Sequence, residues 1–459
     1  MGNNPHLLIL PYPAQGHVIP LMELAQSLAK HGFKITFVNT ETTHKRVVNA
    51  LADDDVLGDH IHLVSISDGL ETWERNVPGK LSEAIMTVMP RKVEELIREI
   101  NGSEEEGEKI SCIVADQSLG WAMEVGKKVG IKQAAFLPAA AALLVLGFSI
   151  PKLIDDGLID QDGIPTENQT FQLSPSMPVM NSTNLIWTRM GSSTMQKIIF
   201  QVMEKNNKAV KSADWLICNS TLNLEPGAFS LGSTNHTHRP TSGPQSPREL
   251  RLDTFWPEDP TCLKWLDQQQ PNSVIYVAFG SFAVFNPTQF EELALGLEFT
   301  LRPFLWVVRA ESVTNGTNFN YPDGFLERVG TRKRVVGWAP QQKVLSHPSV
   351  GCFVSHCGWN SVMEGVSNGV PFLCWPYFAD QFINQSYICD VWKVGLGLER
   401  DESGIVRKGE IENKVDDVIG DDGFRGRAFE LKESTMRNVG EGGSSYKNFN
   451  NFVEWLKNS

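Results

Sequence analysis

Apolar residues run along the chain in two alternating rhythms. Leu7 to Leu10 is a continuous apolar run, as a strand buried on both faces requires. Pro11 to Gly16 is rich in breakers and reads as a loop. From Pro20, residues Leu21, Leu24, Ala25 and Leu28 fall at helical spacing, and Gly32 closes that helix. Ile35 to Val38 reads as the next strand. Further strands are predicted at Ile61 to Ile66, Cys112 to Ala115, Gln133 to Leu137 and Trp215 to Cys218, with helical patterns between most of them. Such alternation predicts a parallel sheet with helices on both faces.

The same rhythm restarts near Val274. Strands are predicted at Val274–Phe279, Phe304–Val308, Arg334–Gly337, Gly351–Ser355, Pro371–Trp375 and Val394–Leu398. Helices are predicted at Thr288–Leu297, Gln341–Ser346, Ser361–Ser367, Asp380–Trp392 and Glu410–Ile419. Between the halves, Gly227 to Pro260 is rich in Gly, Ser, Thr, Pro and His and reads as a linker or surface loop. The last helix, Ser444 to Lys457, carries Tyr446, Phe449, Phe452, Val453 and Leu456 on one side, suited to packing back on the first domain. The expected architecture is therefore α/β, with two Rossmann-like doubly wound parallel-sheet domains. Their boundaries are residues 1–226 and 261–436, with a linker at 227–260 and a C-terminal segment at 437–459.

Composition narrows the function. The chain has 459 residues, 41% of them hydrophobic, and a formal net charge of −13, which argues against bare nucleic acid or an anionic membrane as partner. An anionic substrate would need a local positive field from backbone N–H groups, helix ends and a few side chains. The seven cysteines are odd in number, form no CxxC pair, and mostly fall in apolar runs; they read as buried thiols of a cytosolic protein. The start of the chain lacks a signal-peptide pattern. Ala134 to Ile150 is apolar but holds Pro138 and Gly147, and reads as a buried strand and helix rather than a membrane span. Asp53 and Asp55 form an Asp-x-Asp pair, but no strand end frames them, so this stretch and Glu104–Glu108 read as solvated loops.

The chemistry concentrates between Trp338 and Gln381. The strand ending at Ser355 runs into His356-Cys357-Gly358-Trp359-Asn360-Ser361 and then a helix. A glycine turn into a helix N-terminus presents backbone N–H groups and a positive dipole end, a site for phosphate at the carboxyl end of a parallel strand. His356, Asn360 and Ser361 add side-chain donors. Ser361-x-x-Glu364 can equally be a capping box, Trp338 a core aromatic, and Asp380 a residue favoured by a helix dipole. In the first half, His17 follows the first strand and Asp116 ends a later one; both should face the crevice between domains. Asp116 can also be a helix N-cap.

Taken together, the run resembles the donor-binding signature of plant family 1 UDP-glycosyltransferases. It opens with Trp338-Ala339-Pro340-Gln341, continues through His356 to Ser361 and Glu364, and closes at Asp380-Gln381 with the family's length. The resemblance extends over most of the chain. It implies the GT-B arrangement of two Rossmann-like domains facing a central cleft, with acceptor bound in the first and donor in the second. By resemblance, Trp338 would stack on the uracil, the Ala339 backbone would read its edge, and Gln341 would belong to the same site. Glu364 would take the ribose hydroxyls. His356, Asn360 and Ser361 would hold the diphosphate, with Ser281 nearby, and Trp359, Asp380 and Gln381 would contact the sugar. A closing Gln goes with glucose in this family. His17 would be the base and Asp116 its partner.

The implied reaction moves glucose from UDP-glucose to a hydroxyl or carboxyl of a small plant metabolite, such as a flavonoid, phenylpropanoid or terpenoid. It would proceed with inversion, without metal or other cofactor, in a monomer. Phe136, Phe148 and Trp187 are candidates for the acceptor pocket. One competing reading is a UDP-sugar-binding protein with little or no transferase activity, which the presence of both His17 and Asp116 disfavours. A dehydrogenase lacks its G-x-G-x-x-G here, a hydrolase its G-x-S-x-G. The chain departs from the family between the domains, where an apolar Pro-x-Gly-Pro-Leu stretch is replaced by Gly232 to Arg251; a divergent loop and a shifted reading frame both account for this. Val362 stands where a hydroxyl residue is common.

Overall fold

The structure, a computed structural model, describes residues 5–50, 59–71, 73–77, 79–102, 108–189, 191–231, 258–281, 283–309 and 321–458. The chain divides into two compact units. One comprises Met1–Ser176, Asn181–Phe255 and Arg437–Ser459, the other Met177–Met180 and Trp256–Met436. Most of the predicted linker, the Asp53–Asp55 pair and residues 103–107 lie outside the described residues.

The first unit is built on strands β1 (His6–Leu10), β2 (Lys34–Thr40), β3 (Ile61–Ile66), β4 (Ile110–Asp116) and β5 (Lys132–Leu137). Next along the chain come two-residue strands β6 (Thr170–Phe171) and β7 (Met180–Asn181), outside this sheet, and then its last strand, β8 (Trp215–Cys218). The sheet order is β3-β2-β1-β4-β5-β8, all parallel. Leu7, Ile9, Phe37 and Val114 pack against Leu21, Leu24 and Leu28 of helix Gln15–Lys30. Helix Ser444–Lys457 joins the same core through Phe452, Val453 and Leu456. Burying such side chains contributes about 1.5–3 kcal/mol each.

That first helix starts earlier than its apolar spacing indicates. It begins at Gln15 and contains Pro20. Proline's fixed φ suits a helix, and its missing N–H removes one hydrogen bond near the start. Burial of Val18, Leu21 and Met22 in the same turns offsets that loss. His17 therefore stands on the first helical turn rather than in the loop.

The second unit contains β9 (Val274–Ala278), β10 (Phe304–Val307), β11 (Lys333–Val336), β12 (Val350–Ser355), β13 (Phe372–Cys374) and β14 (Gly395–Gly397). They form a parallel sheet in the order β11-β10-β9-β12-β13-β14. The single helix expected over Asp380–Trp392 is instead an α-helix at Gln381–Ser386 followed by a π-turn at Tyr387–Val391. The wider turn lets Tyr387 and Ile388 both bury, with Tyr387 stacked on Trp392 at 5.2 Å.

In both sheets the order reverses between two central strands, β1 and β4 in one and β9 and β12 in the other. Helices leave to opposite faces there, opening a crevice at the carboxyl ends. Ala134 to Ile150 folds as β5 and helix Ala141–Phe148. No helix among the described residues is long and apolar enough to cross a membrane. All seven cysteines are free thiols, six of them buried and Cys389 half-buried.

Candidate active site

At the first switch point β1 and β4 lie side by side, with Leu10 opposite Ala115. The chain leaves β1, turns through Pro11 to Ala14, and sets His17 on the first turn of its helix. Asp116 is the last residue of β4. His17 Nδ1 lies 2.7 Å from Asp116 Oδ2. The carboxylate side chain is fully buried, while the imidazole is 32% exposed. An ionised carboxylate only accepts, so Nδ1 carries the proton and Nε2 is the basic nitrogen. The other carboxylate oxygen accepts the Ser118 N–H at 2.8 Å, capping the short turn Gln117–Leu119. Asp116 thus meets His17 with one oxygen and caps a three-residue turn with the other, while the helix that follows, Trp121–Val129, has Gly120 as its N-cap.

That turn is held from outside. Asn206, buried on helix Ser193–Val210, donates to the Ser118 carbonyl at 2.8 Å and accepts the Gly120 N–H at 3.2 Å. A Cβ on Gly120 would lie 2.8 Å from the Asn206 backbone, so only glycine permits this approach. Tyr12 packs its ring 5.2 Å from that of His17. Burial raises the phenol's pKa, with the Asp116 charge adding and a hydrogen bond to Ser82 opposing.

At the second switch point two turns are pressed together. Gly280, after β9, has φ +65°, and Cys357, after β12, has φ +64°. A left-handed residue other than glycine is uncommon and marks a turn held in place by its surroundings. His356 fills the space between the turns. A Cβ on Gly280 or Gly358 would come within 2.6 and 2.4 Å of its Nε2. Burial, with Arg309 adding, pushes the His356 pKa down to about 4. The ring is therefore neutral near pH 7 and acts as a hydrogen-bonding group rather than a fixed cation. Helix Trp359–Asn368 starts directly after Gly358. The amides of its first turn have no acceptor within the helix, and its dipole is positive at this end. Ser281 follows Gly280 at the same place.

The start of the predicted donor run lies at helix Gln341–Leu345. Trp338 is half-buried, unlike a core aromatic, and Ala339 is buried. Gln341 Nε2 donates to Ser361 Oγ at 2.9 Å and to Glu364 Oε2 at 2.6 Å. The capping-box reading of Ser361 and Glu364 does not hold, because the N-cap is Gly358 and Ser361 already lies in the helix. At the far end Asp380 Oδ2 accepts Asn384 Nδ2 at 2.9 Å, and the same amide donates to the Cys357 carbonyl at 2.9 Å. Gln381 Oε1 accepts the N–H groups of Tyr377 and Phe378 at 2.7 and 3.1 Å. Its oxygen is thus engaged, and its amide N–H groups are the end suited to a ligand. The Trp359 side chain is buried, 6.3 Å from the Trp392 ring, so its backbone is the part suited to meet a ligand.

Residues 256–436 match the model of the UDP-glucoronosyl and UDP-glucosyl transferase family. The chain is 52% identical to UDP-glycosyltransferase 83A1 of Arabidopsis thaliana, over 99% of this chain and 97% of that protein. The chain belongs to the plant family 1 UDP-glycosyltransferases. It resembles the structure of a Polygonum tinctorium UDP-glucosyltransferase capable of glucosylating indoxyl, with 27% identity, TM-score 0.84 and complete coverage of both chains. It is also similar to Os79 of O. sativa in complex with UDP, with 26% identity, TM-score 0.79, and 98% and 100% of the two chains covered. The enzyme is a glycosyltransferase of the GT-B fold, and its family uses UDP-sugars and small metabolites.

Two expectations about the acceptor pocket are corrected. Phe136 is fully buried in the first unit's core with Val114 and Ala134. Trp187 is also buried, packed edge-on against Phe200, with its indole N–H donated to the Gly163 carbonyl at 2.7 Å. Both aromatics fill the interior, and Phe148 carries the Lys211 ammonium over its ring at 4.9 Å. Sequence reading missed Asn206 and Asn384, which hold the two sites from a distance. A polar residue at a core-facing helical position was the only signal available, and it does not name its partner.

Proposed function

We propose that the enzyme transfers glucose from UDP-glucose to a hydroxyl of a small plant metabolite, with inversion at the anomeric carbon. The observation that carries the proposal is the His17–Asp116 hydrogen bond at 2.7 Å, with the carboxylate buried and the imidazole part-exposed. An alcohol is far too weak an acid to ionise near neutral pH, so it needs a base as it attacks. His17 Nε2 takes that proton, and Asp116 orients the ring and stabilises the imidazolium. The acceptor oxygen forms its bond to the anomeric carbon as the bond to UDP breaks. A single displacement turns an α-linked donor into a β-glucoside.

The second unit holds the donor. His356, Asn360, Ser361 and Ser281 take the diphosphate, whose growing charge meets backbone N–H groups and the positive end of helix Trp359–Asn368. Trp338, Ala339, Gln341 and Glu364 take the nucleoside. Asp380 accepts from sugar hydroxyls, Gln381 donates to them through its amide N–H groups, and the Trp359 backbone completes the sugar site. The first unit receives the acceptor. Cytosolic residence fits the buried thiols, whose pKa burial raises to about 12 at Cys352.

The test is UDP release and product analysis with UDP-glucose and a panel of phenolic and terpenoid alcohols. The parent should yield β-glucosides. His17→Ala should lose at least about 100-fold in turnover, the scale of general-base catalysis, while binding UDP as the parent does. Equal turnover by both proteins would remove His17 from the mechanism. UDP binding without transfer to any acceptor would favour a nucleotide-sugar-binding role.

A further inference from the structure

Tyr276 stands in the middle of β9. Its neighbours Ile275 and Val277 face the core that includes Leu293 and Leu297 of helix Pro287–Phe299. Strand alternation turns Tyr276 to the other face. There it stacks on Phe353, its partner on β12, with centroids 5.0 Å apart and planes at 24°. The residue is 1% exposed. A phenol buried this deeply needs a partner for its hydroxyl, and this one has Gln341 Oε1 at 3.0 Å.

The direction of that hydrogen bond is fixed by the far end of the Gln341 amide. Burial raises the phenol's pKa well above its usual value, and the Glu364 charge adds to the effect, so the group remains O–H and is able to donate to Gln341 Oε1. At the other end of the Gln341 amide, Nε2 meets the Glu364 carboxylate and the Ser361 hydroxyl. Flipping the amide would set its carbonyl against the Glu364 carboxylate, two acceptors with no hydrogen between them, whereas the phenol can serve as donor or acceptor. The chain from Tyr276 through Gln341 to Glu364 thus has one favoured arrangement.

We propose that Tyr276, a residue of the sheet interior, is a positioning residue for the nucleotide end of the donor site. It orients the Gln341 amide, which in turn presets Glu364 and Ser361 for UDP. The proposal rests on the donor-site reading of Gln341 and Glu364 given above. It adds a determinant that touches no substrate and lies one residue beyond the groups that do.

Tyr276→Phe removes one oxygen and keeps the stacked ring. UDP affinity by calorimetry, KM for UDP-glucose and kcat at saturating donor would be measured for Tyr276→Phe, Gln341→Ala, their double variant and Glu364→Ala. Tyr276→Phe should weaken UDP binding and raise KM by about 5- to 10-fold, the scale of one neutral hydrogen bond, with kcat within about twofold. In the Gln341→Ala background, Tyr276→Phe should have no further effect on UDP affinity, because its route has been removed. A purely structural role would instead add its effect in both backgrounds, and that additivity would overturn the proposal. Unchanged UDP affinity in Tyr276→Phe would also overturn it. Unchanged UDP affinity in Glu364→Ala is a different failure: it would remove the donor-site reading and the Tyr276 proposal with it.

Discussion

Gln381 shows how much one buried amide can settle. Two backbone N–H groups, of Tyr377 and Phe378, occupy its oxygen and fix its orientation. Composition and motif named the residue but left open which end a sugar would meet. Gln381→Glu keeps an oxygen for those two N–H groups and removes the donor, beside the acidic Asp380. The expected result is a fall of about 10-fold in kcat/KM for UDP-glucose, since a neutral hydrogen bond contributes about 0.5–1.5 kcal/mol. UDP, which lacks the transferred glucose, should bind as before. If calorimetry shows UDP weakened as much as UDP-glucose, Gln381 acts on the nucleotide and not on the sugar. His356 and Asp116 make the related point that one side chain can answer two demands. Asp116 ends β4, caps the following turn with one oxygen and meets His17 with the other; His356, directly after β12, fills the space between two turns.

Among the elements, the strands were the most legible in sequence, because a strand buried on both faces leaves an unbroken apolar run. Every central strand was visible this way, including β1, β4, β9 and β12 on which the candidate sites stand. Helix starts were less legible. The first helix begins at Gln15 because tertiary burial outweighs Pro20. Clamps between elements were invisible in advance. Asn206 meets the turn after Asp116 across a sequence separation of 86 and 88 residues, which no local pattern encodes. Asn206→Ala would leave the Ser118 carbonyl and Gly120 N–H without that partner and loosen the turn that holds Asp116. The expected consequence is a drop of about 10-fold or more in kcat with UDP affinity unchanged, since this clamp lies in the first unit. Turnover well under the melting midpoint, paired with UDP calorimetry, checks it. An unchanged kcat would show that Asp116 holds His17 without help from this helix.

For the whole molecule, the chain's end is part of the first unit's core. Helix Ser444–Lys457 inserts Phe452 and Leu456, both fully buried, against β-sheet residues including Trp215. Lys132 donates to the Trp455 carbonyl at 2.6 Å and lies 4.7 Å from the centre of its ring. Phe452→Ala should cost about 3–5 kcal/mol, the usual range for a buried phenylalanine. Denaturant unfolding, followed by fluorescence, should show the loss in the transition that reports the first unit. A loss below about 1 kcal/mol would show that the helix contributes little to that core. The net charge of −13 belongs to this scale too. An acidic chain can bind a nucleotide diphosphate because the relevant field is local, made of N–H groups at one helix end, and not of net charge.

What the sequence determined by itself is the strands of the two six-stranded sheets, the doubled α/β alternation and the residue types at the carboxyl strand ends. These follow from local period and composition, which a linear chain displays directly. The spacing of the Trp338–Gln381 run also carried the family resemblance. Tertiary structure alone decided which oxygen of Asp116 holds His17, which way the Gln341 amide is turned between Tyr276 and Glu364, which end of Gln381 is engaged by backbone, and that Phe136 and Trp187 fill a core. Those choices depend on hydrogen-bond partners and burial supplied by residues far away in sequence, so they arise only once the sheets have assembled.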